Sequence, residues 1–236
     1  MVFFDLDGTL LPMDLDEFIH GYFGLLAAKA APRGYEPETL IRGVWEGIAA
    51  MVANDGTRPN EDAFWDAFAA RFGARALEDK PLFNEFYANE FQQAQRFCGF
   101  DPAAAETVAW IKGQGYRVAL ATNPLYPAVA TRSRIRWAGL EPEDFEFYTT
   151  YENIGCCKPN LAYYREVLRR AGLPPEECVM VGNDVGEDMV AAALGMRVFL
   201  LTDCLINKDG ADVSRWPHGS FDALKRYLAD ETEGTA

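Results

Sequence analysis

Short apolar runs alternating with helical segments predict an α/β fold, a doubly wound parallel sheet of five strands that carries a smaller, all-helical block. Three observations support this reading. An apolar run at residues 2–5, bounded by Gly8, reads as a buried strand. Between residues 14 and 97 no strand-like segment follows, and apolar residues recur with helical spacing instead. Beyond residue 100 helix and strand patterns alternate, as a parallel sheet with right-handed crossovers requires.

The helical stretch divides into four blocks, near 14–30, 36–55, 61–72 and 77–97. Asp14 with Glu17 resembles a capping box, Asn60 suits a helix start, and Arg33-Gly34-Tyr35 and Asn54-Asp55-Gly56 punctuate the joins. Asp101-Pro102 then opens a helix, and strands are expected at 117–121, 145–149, 178–181 and 197–201, with helices at 126–138, 159–171 and 186–194 between them. Gly139 and Gly172, each followed within three residues by Pro, are helix stops. A last helix is expected at 220–229, and residues 231–236 read as a frayed tail. The division this implies is a core of residues 1–13 and 98–236 with a four-helix cap at 14–97.

Composition sets the limits. A chain of 236 residues with 49% hydrophobic content fills a packed core, with room for one insertion. The net charge of −14 repels nucleic acid and anionic membrane surfaces over most of the exterior. A small anion can still enter a cleft where a few fixed cations outweigh the screened surface potential. The acidic start and the lack of an apolar run approaching ~18 residues predict a cytoplasmic protein without a membrane span, as a monomer or homodimer. Five Cys without metal-ligand spacing read as reduced thiols, and Cys156-Cys157 reads as small core filler or, less simply, as a redox pair.

Ligands of open parallel sheets bind beyond the C-terminal strand ends, so the residues that follow each strand are the candidates for chemistry. These are Asp5-Leu6-Asp7-Gly8-Thr9, Thr122-Asn123, Lys158-Pro159, and Gly182-Asn183-Asp184 with Asp188 four residues on. Carboxylates crowded at one edge repel unless a hard cation sits among them, and oxygen ligands of this kind suit Mg²⁺. With charge absorbed by Mg²⁺ and Lys158, a phosphate can approach Asp5 while Thr122, Asn123 and backbone N–H groups hold its oxygens. Attack by the Asp5 carboxylate then gives an aspartyl phosphate.

Asp-Leu-Asp-Gly-Thr-Leu, Ala-Thr-Asn, Lys-Pro and Gly-Asn-Asp-Val-Gly-Glu-Asp, in this order over residues 2–203, resemble the four motifs of the haloacid dehalogenase (HAD) superfamily. The resemblance implies a Rossmann-like sheet of order 3-2-1-4-5 with a cap inserted after the first motif. Asp5 would be the nucleophile and Asp7 the general acid/base, with phosphate binding by Thr122 and Lys158. It also implies Mg²⁺ held by Asp5, the Asp7 main-chain carbonyl and Asp184, with Asp188 as a further or outer ligand. Asn183 departs from the pattern, because many members carry Gly before the first acid of the fourth motif.

The resulting expectation is a Mg²⁺-dependent phosphatase of a small phosphorylated metabolite. A phosphotransfer mutase shares every motif, and a non-turnover phospho-receiver switch shares the Asp, Thr, Lys and Mg²⁺ set. A phosphonate-cleaving relative would need a cap lysine, for which only Lys29 and Lys80 are available. A dehalogenase is disfavoured by Asp7. His20, Lys29, Arg33, Arg42 and Arg58 read as solvated helix faces, whereas Phe64, Trp65, Phe68, Phe72, Tyr163 and Tyr164 read as core.

Overall fold

The computed structural model describes residues 1–233 and has an all-parallel five-stranded sheet. Strands β1 (Val2–Phe4), β2 (Val118–Leu120), β3 (Val179–Gly182), β4 (Arg197–Leu201) and β5 (His218–Gly219) lie in the order β2-β1-β3-β4-β5. In β1, Val2 pairs with Val118 on one side and with Val179 on the other, which makes it the centre of the site-bearing edge.

Side chains alternate across the sheet, so its two faces build two cores. Val2, Phe4, Val179, Val181 and Phe199 pack on one face against α6 (Pro102–Gly113) and α9 (Phe221–Glu233). Phe3, Ala119, Met180, Val198 and Leu200 pack on the other against α8 (Leu161–Ala171), through Tyr163, Tyr164 and Val167.

Between β1 and α6 the described residues form helices α1 (Leu15–Ala30), α2 (Pro37–Val52), α3 (Asn60–Phe72), α4 (Arg75–Glu78) and α5 (Lys80–Ala88), then a 3₁₀ stretch at Glu90–Phe97. Asp14 caps α1 by accepting from the Glu17 N–H at 2.9 Å. The chain leaves and re-enters this block side by side, because Met13 bridges Cys98 and the Gly99 N–H donates to the Pro12 carbonyl. Phe68 is fully buried among Tyr35, Trp65 and Phe83, so the aromatic cluster is the block's core.

The segment expected as one helix at 77–97 is broken twice. Pro81, near the start of α5, cannot donate the bond that would continue α4, and Asn89 at φ −118°, ψ −78° ends α5. Residues 145–149 flank β2 as expected, but they make a single parallel bridge, Leu120 to Tyr148, rather than a full strand. The Glu146 N–H donates to the Val118 carbonyl, the Leu120 N–H to the Phe147 carbonyl and the Thr149 N–H to the Leu120 carbonyl, and Asn153, which binds the Tyr148 carbonyl and the Thr150 N–H, turns the chain away after them. The fifth strand is the two-residue β5, too short to show apolar alternation.

The helix expected at 126–138 is α7 (Ala128–Trp137), whereas the one at 186–194 is a 3₁₀ stretch at Met189–Leu194. Helix α9 extends past residue 229 to Glu233, and the rest of the expected tail lies outside the described residues. All five Cys are free thiols. The Cys157 thiol donates to the Met51 carbonyl at 3.4 Å, and burial pushes its pKa up to about 12, which fits filler rather than redox chemistry. No helix among the described residues is long and apolar enough to cross a membrane.

Candidate active site

The C-terminal ends of β1, β2 and β3 deliver Asp5, Asp7, Thr122, Asn123, Asp184 and Asp188 to one cleft. Lys158 lies beneath it, fully buried, and binds two of the acids. Its Nζ donates to Asp5 Oδ1 at 2.8 Å and to Asp188 Oδ1 at 2.7 Å. Burial alone would lower the Lys158 ammonium, yet the charges of Asp188 and Asp5 outweigh it and hold its pKa well above the usual lysine range.

Asp188 is committed on both oxygens, since its Oδ2 accepts the Asp184 N–H at 3.0 Å. Burial pushes its carboxyl up to about 6 against the pull of Lys158. Asp184 Oδ1 accepts the N–H groups of Gly186 and Glu187 at 2.7 and 3.0 Å, which shapes the turn after β3. Both bonds use one oxygen, so the other is available to a ligand.

Asp7 lines the cleft and is paired with Arg134 of α7, a residue that sequence reading missed. Arg134 is fully buried, stacks over the Tyr126 ring at 4.2 Å and is a helix-period position that looks like any other arginine in the sequence. Burial raises the Asp7 pKa and Arg134 opposes it, while Asp7 Oδ1 is buried with no hydrogen-bond partner.

Thr122 and Asn123 are positioned from below. The Thr122 carbonyl accepts from Thr149 Oγ1 at 2.6 Å and from the Tyr163 hydroxyl at 2.9 Å. Asn123 Nδ2 donates to Glu187, whose pKa burial raises to about 7. The Tyr164 hydroxyl donates to the Glu187 carbonyl at 2.7 Å. Tyr163 and Tyr164 are therefore core residues, as expected, whose hydroxyls also brace the site.

Asn183 links the first and fourth motifs. Its Oδ1 accepts from Thr9 Oγ1 at 2.8 Å, and its Nδ2 donates to the Cys204 carbonyl at 2.7 Å. Gly8, at φ +79°, lies so close to this side chain that an added Cβ would overlap it. Gly8→Ala is expected to cost upwards of about 1 kcal/mol, through both the left-handed backbone and the clash. It should also lower turnover by displacing Asp7, which is checked by urea denaturation alongside the assay.

Among the described residues no three His, Cys, Asp or Glu side chains converge tightly enough to ligate one ion by themselves. The donors facing the cleft nevertheless suit Mg²⁺, which keeps several waters and needs only one or two carboxylates. Asp5, Asp7, Asp184, Glu187 and Asp188 face the paired Lys158 and Arg134 and, on the cleft wall, Lys208, so acids outnumber cations there. Of the insertion's basic residues, His20, Lys29, Arg33, Arg42 and Arg58 do not line the cleft. Lys29 is held by Glu85 and Glu90, each at 2.9 Å, and Lys80 lies 3.7 Å from Glu61.

Comparison with known proteins agrees with this arrangement. A glyceraldehyde 3-phosphate phosphatase of Methanothermobacter thermautotrophicus is 31% identical over 121 residues, which span 48% of this chain and 52% of that protein. A phosphoglycolate phosphatase of Nitrosococcus oceani is 24% identical over 86% of this chain and 83% of its own. A crystal structure of a 2-haloacid dehalogenase from Pseudomonas syringae shares the fold with a TM-score of 0.61 at 22% identity, covering 97% of both chains. The family model of haloacid dehalogenase-like hydrolases matches residues 1–195. With the four motif ends converging on one cleft and that match spanning most of its length, this chain belongs to the haloacid dehalogenase-like hydrolase family.

Proposed function

We propose that this hydrolase is a Mg²⁺-dependent phosphatase of a small phosphorylated metabolite that works through an aspartyl phosphate on Asp5. The observation that supports this best is the pairing of Asp5 with buried Lys158. A carboxylate at the cleft floor accepts a hydrogen bond at 2.8 Å from a fully buried ammonium, beside a second acid, Asp7, two residues on. Asp5 forms a bond to phosphorus while the bond to the leaving oxygen breaks and Asp7 donates a proton to that oxygen. Asp7 then takes a proton from water, whose oxygen attacks phosphorus and frees Asp5 and inorganic phosphate. Lys158 balances the charge of Asp5 throughout, and Thr122 and Asn123 hold phosphate oxygens. Arg134 orients the Asp7 carboxyl.

Asp5, Asp184 and the main-chain carbonyl of Asp7 would hold Mg²⁺, with Asp188 acting from outside through Lys158 and the Asp184 N–H. Bound there, the ion would offset the repulsion between the acids and an incoming phosphate dianion. Residues 14–97 serve as the cap that covers the cleft, and residues 1–13 with 98–236 serve as the catalytic core. The same reading makes the protein cytoplasmic, acting as a monomer or homodimer, with no nucleic-acid or membrane partner. A phosphonate-cleaving role loses support because Lys29 and Lys80 are engaged elsewhere.

Phosphate release from a panel of phosphomonoesters, measured with Mg²⁺ and with excess EDTA, tests the proposal. Turnover with Mg²⁺ and a loss of at least about a hundredfold in EDTA are expected. Undiminished release in chelator would remove the metal. A single phosphorylation of the protein without sustained release would indicate a switch instead.

A further inference from the structure

The cleft above the acids has a volume of about 380 Å³, the size of a small-molecule site, and its upper wall is apolar. Ile19, Tyr22, Phe23, Trp45, Ile48 and Phe64, all from the helical insertion, form that wall. Trp45 is 45% exposed and Leu15 is 39% exposed, although both line the cleft. Large apolar side chains left in water at the mouth of a polar site indicate a surface that a ligand covers. The ring of Trp45 meets Phe23 edge-on, with centroids 5.5 Å apart, so an aromatic surface is already assembled there.

The charges argue in the same direction. From the insertion, Asp16 is the only acidic or basic side chain lining the cleft among the described residues. Tyr22 and Tyr87 bond each other through their hydroxyls at 2.7 Å, and burial raises both pKa values, so this wall is neutral. Lys158 and Arg134 are engaged with the acids beneath. The remaining lining cation, exposed Lys208, lies two residues from Ile206, which bridges Asp184, at the acid-rich end of the cleft. A second anionic group on a substrate, such as a carboxylate, would thus enter the insertion's side of the cleft without a cation to meet it, beside Asp16. Burying an unpaired charge is strongly unfavourable, whereas an uncharged ring displaces water from apolar and aromatic walls.

We infer that the substrate is a phosphate monoester whose alcohol part is uncharged and aromatic, rather than a phosphorylated carboxylic acid. This rests on the phosphatase reading above and specifies its substrate class. Benzyl phosphate, 2-phosphoglycolate and glucose 6-phosphate are all esters of primary alcohols, so their chemistry is comparable and their differences report on the wall.

The expected result is a kcat/KM for benzyl phosphate at least about tenfold above either of the others, the scale of one well-placed aromatic contact. Trp45→Arg places a cation at an exposed position that tolerates it, and should raise the ratio of phosphoglycolate to benzyl phosphate turnover by a similar factor. Equal or better turnover of phosphoglycolate or glucose 6-phosphate by the unaltered protein would overturn the inference, as would an unchanged ratio in the folded variant. 4-Nitrophenyl phosphate serves as the general probe. Release from it without release from benzyl phosphate overturns the substrate class alone, whereas no release from any of the four overturns the phosphatase reading together with it.

Discussion

Asp5→Asn is expected to lower phosphate release by at least about four orders of magnitude, the scale on which loss of a covalent nucleophile acts. The amide has nearly the shape of the carboxylate but cannot attack phosphorus. Lys158 keeps Asp188 as a partner in the variant, so the buried cation is not stranded and the fold should persist. Thermal unfolding of the two proteins would establish that the loss is chemical. Activity retained within tenfold would exclude Asp5 as the nucleophile.

Lys158→Met should damage the protein in a second way, through stability. The ammonium is fully buried and contacts Asp5 and Asp188 at 2.8 and 2.7 Å. Removing one member of a buried ion pair leaves uncompensated charge and costs about 3–5 kcal/mol. Two carboxylates then face each other with less cation between them, and a phosphate dianion meets a more negative floor. Turnover should fall by at least about a thousandfold, the scale of losing a preorganised electrostatic contact. Urea denaturation in EDTA measures the stability term free of metal. A midpoint unchanged from the parent would show that Lys158 does not hold the acids together as the geometry indicates.

Most of the candidate site residues were legible in the sequence because they lie just after a strand, where a short apolar run is followed at once by a polar cluster, whereas Lys158 lies in a loop and was read from its Pro159 neighbour and the motif order. Asp5, Thr122 and Asp184 stand out for that reason, and the structure brings them to one cleft. Arg134 was hidden because it sits between Arg132 and Arg136 on one helix, where each reads equally well as a surface cation. Only the packing of α7 against α5 and the 3₁₀ stretch Glu90–Phe97 shows that it turns inward to Asp7. Glu187 was hidden in the same way, inside a motif read for its two aspartates. Asn183 was visible as a departure, but its role in joining Thr9 to Cys204 needs the third dimension.

Elements followed the same logic. Strands buried on both sides, such as β1 and β3, announce themselves by continuous apolar runs. Edge segments do not, and 145–149, read as a strand, bonds to β2 through three backbone hydrogen bonds but keeps only one regular bridge before the Asn153 turn. The two-residue β5 carries no pattern at all. The fourth helical block was read as continuous because its apolar period persists across Pro81 and Asn89, where backbone chemistry, not period, decides.

Formation of a phosphoryl bond to Asp5 is the step on which the account depends, and Asp7→Asn offers the means to see it. With 4-nitrophenyl phosphate the leaving group needs no proton, so formation of the aspartyl phosphate should suffer less than its hydrolysis. Acid quench during turnover, followed by intact-mass measurement and peptide mapping, should show one phosphate on the variant, located at Asp5. An Asp7→Asn protein that carries no adduct while turning over good and poor leaving groups at the parent rate would contradict the account.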